Sequence, residues 1–106
     1  MVNAGIMTTQ EFDTMTAKRE ICIVSFTSLS DINSRLVLPV IEYVSDKHTD
    51  WLIFSFDISS AQNLAEKFNI VSVPTLIILN KGKELSRIEP KPDVREIEHF
   101  ISSNIV

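Results

Sequence analysis

The sequence predicts an α/β domain in which a central mixed sheet is flanked by helices on both faces. The runs Glu20 to Phe26 and Trp51 to Ile58 are apolar on both alternating faces and rich in β-branched and aromatic residues. Such strands are covered on either side by helices. Each run is followed by a segment whose apolar residues recur at three- and four-residue steps, and strand, helix, strand, helix favours a parallel core. The sheet becomes mixed at the end of the chain. There Thr75 to Leu79 and Glu84 to Ile88 flank Asn80-Lys81-Gly82-Lys83, a tight-turn sequence in which Gly82 can take positive φ.

The elements follow in order. Val2 to Met7 would supply a short edge strand. Thr8-Thr9-Gln10-Glu11 has capping-box spacing, so a helix starts at Thr8, with Phe12, Met15 and Ala17 as its inward face. Cys22 falls in the first central strand and is expected in the core. From Ser30 or Asp31 the pattern turns helical, with Leu36, Val37, Val40, Ile41 and Val44 inward and Asp46, Lys47 and His48 at the polar end. Pro39 should bend this helix, because its ring clashes with the preceding turn and it donates no hydrogen bond. After the second central strand, Ser59 or Ser60 is the expected cap of a helix carrying Ala61, Leu64, Ala65 and Phe68 on one face. Pro90 and Pro92 stop the hairpin and open a last helix with Val94, Ile97, Ile101 and Ile105 inward.

Length and composition narrow the function classes. A chain of 106 residues suits one domain spanning 1–106, and 44% hydrophobic with 23% charged residues is ordinary globular composition. No apolar run is long enough to cross a bilayer, and the first residues lack the pattern of a secretion signal. One cysteine makes no internal disulfide, compatible with a reducing, cytoplasmic setting. A net charge of -4 without a Lys/Arg block argues against nucleic acid as a partner.

Two motifs carry a resemblance. Phe26-Thr27-Ser28-Leu29-Ser30-Asp31-Ile32-Asn33-Ser34 runs from a strand into a helix interrupted by Pro39, and Val73-Pro74-Thr75 opens the hairpin. Together with the element order, these resemble the thioredoxin family over nearly the whole chain. The family's Cys-Gly-Pro-Cys tetrad falls in register with Asp31-Ile32-Asn33-Ser34. The resemblance implies a thioredoxin-like fold, a cis proline at Pro74, and a peptide-facing groove at Ser30, Ile32, Ser72, Val73 and Pro74. It also implies that Ser30 replaces an aromatic residue and Ser25 a buried aspartate.

The chemistry does not carry over with the scaffold. Disulfide exchange starts with thiolate attack and needs a leaving thiol, which neither Asp31 nor Ser34 supplies. The reading is therefore a redox-inactive domain that binds a protein or extended peptide, with no catalytic residue. One alternative is a diverged disulfide oxidoreductase or glutathione-linked protein drawing sulfur from Cys22 or from a partner. Another is a structural subunit of an oligomer, and the oligomeric state is left open. Asp31 either caps its helix or meets an anion there. Asp57, at a strand end, either accepts amides of the following turn or joins a site.

Other chemistries are weaker. Ser34 as a nucleophile needs a base, yet His48 is roughly 20 Å along the same helix. Both histidines are expected to face solvent. One cysteine and two separated histidines form no metal-ligand cluster, and no cofactor is expected.

Overall fold

Strand β2 (Cys22–Thr27) is buried along its whole length, and it lies in the middle of a five-stranded sheet of order β1-β3-β2-β4-β5. The computed structural model describes residues 2, 3 and 7–105. Its elements are β1 (Val2–Asn3), α1 (Thr9–Ala17), β2, α2 (Ile32–Lys47), β3 (Ile53–Asp57), α3 (Gln62–Lys67), β4 (Thr75–Asn80), β5 (Lys83–Ile88) and α4 (Val94–Asn104). The N-terminal edge strand anticipated over Val2 to Met7 is realised as Val2–Asn3, and residues 4–6 of that stretch lie outside the described residues. Strands β1, β3 and β2 run parallel, while β4 is antiparallel to β2 and β5 to β4.

Successive side chains of the central strands point to opposite faces, and each face has its own core. On one, Phe12 of α1 and Leu64 of α3 pack on Val24, Phe26, Phe56 and Ile77. On the other, Val37 and Ile41 of α2 with Ile97 and Ile101 of α4 cover Ile23, Ile53, Leu76 and Ile78. Phe12 meets Phe56 and Phe68 edge-on, each at 5.8 Å between ring centroids. Such pairs contribute about 0.5–1.5 kcal/mol beyond the area they bury. Edge strand β5 is half-exposed or exposed throughout and carries Lys83, Glu84 and Arg87, charges that discourage another strand from pairing there.

Turn chemistry sets the hairpin. Asn80 pairs with Lys83, leaving Lys81 (φ 50°) and Gly82 (φ 84°) as a two-residue loop in which both centres are left-handed. That is the geometry whose twist matches the flanking strands. The Lys81 N–H donates to the Arg19 carbonyl at 2.9 Å, tying the turn to the end of α1.

Several local expectations need correction. The inward face of α1 is Phe12, Met15 and Thr16, while Ala17 is exposed. Thr16 tolerates burial because its hydroxyl donates to the Phe12 carbonyl at 2.9 Å. Leu36 is 55% exposed: it lies a hundred degrees around α2 from Val37, outside the stripe of Val37, Ile41 and Val44. Neither Ser59 nor Ser60 caps α3. Both lie in a 3-10 turn over Ile58–Ser60 whose cap is Asp57, and α3 follows Ala61 with no side-chain cap. Phe100 joins Ile97 and Ile101 in the buried face of α4. His48 is half-buried, unlike exposed His99. Its ring stacks on Trp51 with 3.8 Å between centroids, and its Nε2 lies 2.7 Å from Glu98, which also pairs with Lys47 at 3.2 Å. These contacts join the C-terminal end of α2 to α4.

Candidate functional site

The register of β2 on its two neighbours assembles the site. Thr27 pairs with Asp57 on β3, and Phe26 pairs with Thr75 on β4. The loop after β2, the turn after β3 and the segment before β4 therefore meet at one end of the sheet. The Val73-Pro74 peptide in that last segment is cis.

The loop from Ser28 to Asp31 is held by its own hydroxyls and carboxylates. Asp31 is the cap of α2, its Oδ2 accepting the Ser34 N–H at 2.7 Å. Fully buried Ser34 in turn accepts the Ser28 N–H on its Oγ at 3.0 Å. The Ser28 and Ser30 hydroxyls are 2.8 Å apart, and the Asp31 N–H donates to the Ser28 carbonyl at 3.0 Å. Asp57 reaches across from β3: its Oδ2 accepts the Leu29 N–H at 3.1 Å, and its Oδ1 accepts the Ser59 N–H and hydroxyl at 2.9 and 2.6 Å. The Ser59 hydroxyl, then the Ser59 and Leu29 amides, hold the Asp57 carboxyl below its ordinary range.

On the other side, Ser72 donates its hydroxyl to Glu89, and Thr75 Oγ1 donates to the Ser72 carbonyl at 2.7 Å. Pro74 is buried and Val73 half-buried against the α1/α3 core. Among the described residues Val73 engages neither its N–H nor its carbonyl in a hydrogen bond. Apolar side chains stand open around these segments: Leu29 is 66% exposed, Ile32 64% and Val71 95%. A shallow groove lined by Ser28, Ile58, Ser59, Gln62 and Ala65 runs beside the loop. A larger hollow is lined by Met15, Arg19 and other residues of α1 and its flanks, and contains none of these groups.

Thiol chemistry is far from this loop. Cys22 begins β2 and is 1% exposed, five strand positions and thus about 16 Å from Thr27. Burial pushes its thiol up to about 12, against a smaller opposing effect of Arg19. Ser25 Oγ is buried with no hydrogen-bond partner among the described residues, in register with Ser55 on one side and Leu76 on the other. A hydroxyl there gains and loses no proton at ordinary pH, so β2 offers no acid or base beneath α2.

Of the residues singled out from sequence, the structure brings Ser30 to Ser34 and Ser72 to Pro74 to the same end of the sheet and leaves Cys22 at the other. Sequence reasoning left Asp57 between its following turn and a site, and missed its grip on Leu29, which depends on the pairing of Thr27 with Asp57. It also missed Leu29 and Val71 as open apolar groups, although Leu29 stands between Ser28 and Ser30 and Val71 next to Ser72.

A family model described as Thioredoxin matches residues 3–103. Thioredoxin-1 of Saccharomyces cerevisiae is 25% identical over 81 residues, 76% of this chain and 79% of the relative. Thioredoxin H2 of Arabidopsis thaliana is 26% identical over 77 residues, 73% of this chain, and the match spans only 58% of that longer relative. The solution structure of oxidised thioredoxin from Plasmodium falciparum superposes with a TM-score of 0.80 at 21% identity, covering 100% of both chains. With the sheet order, the helices on both faces and the match over residues 3–103, this chain belongs to the thioredoxin family.

Proposed function

We propose that the chain, acting as one domain over residues 1–106, binds an extended polypeptide in the groove between the Ser28 to Asn33 loop and Ser72-Val73-Pro74, without exchanging disulfides. The observation that carries this reading is the meeting of two segments, set by the Phe26 and Thr75 pair, at a place that offers apolar surface and backbone but no thiol. An extended chain gains affinity from main-chain hydrogen bonds, for which Val73 has its N–H and carbonyl available, and gains selectivity from adjacent apolar contacts. Ile32, Leu29 and Val71 are those contacts. Ser30 and Ser72 edge the groove, and Asp31 and Ser34 serve the helix start and not the ligand. No helix among the described residues is long and apolar enough to cross a membrane. A cytoplasmic protein or peptide partner is the reading adopted.

A second reading draws on similarity to proteins named thioredoxin: disulfide chemistry in which the sulfur comes from the partner or from Cys22. The burial of Cys22 and its raised pKa weigh against the latter source.

Titration of ¹⁵N-labelled protein with a library of extended peptides separates the two. Shifts confined to Leu29 to Ile32 and Val71 to Thr75, lost in Ile32→Asp, support the groove. Binding mapped elsewhere overturns it. Reduction of a protein disulfide with dithiothreitol as electron source, above a blank and abolished in Cys22→Ala, would establish the second reading.

A further inference from the structure

The outer face of α2 carries apolar residues the fold leaves uncovered. Ile32 (64% exposed), Leu36 (55%), Pro39 and Tyr43 (54%) follow one another at steps of four, three and four. On a helix these steps keep side chains in one stripe, the spacing of a coiled-coil seam. The stripe points away from the core, since Val37, Ile41 and Val44 face the sheet from the opposite side of the same helix. Along one edge of the stripe stand Arg35 and Glu42, both exposed and seven residues apart. Neither has an ion-pair partner among the described residues.

We propose that this stripe is the contact between two copies of the chain, whose α2 helices pack antiparallel about a two-fold axis lying between Leu36 and Pro39. The charges select this occupant. When Leu36 of one copy meets Pro39 of the other, and Ile32 meets Tyr43, Arg35 comes within about one half-turn of Glu42 on the second copy. The two-fold axis repeats the pair, so the edge is complementary to itself. A purely acidic or basic partner would match only half of it. The interface is isologous and closes at two copies. From Ile32 to Tyr43 the seam is about 16 Å long, so it buries less than a standard interface and the dimer is weak and concentration-dependent.

The proposal does not rest on the peptide groove. Only Ile32 belongs to both, so the test uses Arg35, Leu36 and Glu42. Sedimentation equilibrium of the full chain is measured from micromolar to about 1 mM, a range that detects even millimolar dissociation constants. The wild type shifts from monomer to dimer across that range, and Leu36→Glu stays monomeric; as Leu36 is exposed, this variant keeps the fold, checked by circular dichroism. Arg35→Glu and Glu42→Arg each weaken the dimer about threefold to tenfold by placing like charges at two symmetric contacts. The double variant carrying both reversals regains the wild-type constant. A monomer throughout the range overturns the proposal, as does a dimer indifferent to Leu36→Glu or not restored by the double reversal. Peptide binding unaffected by Leu36→Glu then shows that failure of the dimer is separate from failure of the groove.

Discussion

Ser34 accepts the backbone N–H of Ser28 on its buried hydroxyl at 3.0 Å, linking the first turn of α2 to the loop that precedes it. Together with the Asp31 carboxylate on the Ser34 N–H and the Asp31 N–H on the Ser28 carbonyl, this makes a closed hydrogen-bonded ring at the start of α2. The Ser34 N–H, one of the donors a helix start leaves without an intrahelical partner, is thereby satisfied from within the chain.

Ser34→Ala removes the acceptor and leaves a partly buried N–H without its partner. Loss of stability is expected at about 1–2 kcal/mol. Urea unfolding reads it as a lower midpoint with an unchanged slope. A midpoint equal to wild type would mean that water replaces the hydroxyl at no cost.

The Cys22 thiol should be almost inert in the native protein. Its rise from 9.0 to about 12 lowers the thiolate population near pH 8 about a thousandfold, before burial further restricts access. Alkylation by iodoacetamide, followed by mass spectrometry, should be slow in buffer and fast in urea. The linkage has a sign: the thiol binds its proton more tightly when folded, so its contribution is fully present below the unfolded pKa and is lost as pH rises toward the folded one. Cys22→Ala should flatten that alkaline decline.

Asp57 works in the opposite direction. Its folded pKa is depressed, by the Ser59 hydroxyl first, so its contribution is present above the unfolded value and lost as pH falls through the folded one. Asp57→Ala should therefore shrink the loss of stability below about pH 4 and free the Leu29 amide. The flattening is partial, because Glu98, held down chiefly by its hydrogen bond to His48, and Glu84, held down by Arg87, titrate with the same sign. Hydrogen exchange at Leu29, faster in the variant than in wild type, checks that the loop itself is what Asp57 holds.

The central strands, the capping box at Thr8 and the Gly82 turn are legible in the chain because neighbours decide them. A run apolar on both faces has to be covered twice, Thr8 and Glu11 satisfy each other three residues apart, and the step past Lys81 favours a residue without a side chain. The absence of a dithiol is equally local, since one cysteine and Asp31-Ile32-Asn33-Ser34 are plain in the sequence.

Other features depend on pairings between distant residues. Asp57 reaches Leu29 because Thr27 and Asp57 share a register, Cys22 is remote from the loop because β2 runs its full length between them, and Leu36 faces outward by one helical step from Val37. A spacing pattern states which residues can share a face. Which face meets the sheet, and which carboxylate finds a loop twenty-eight positions away, follow from packing that minimises exposed apolar area over the whole molecule at once.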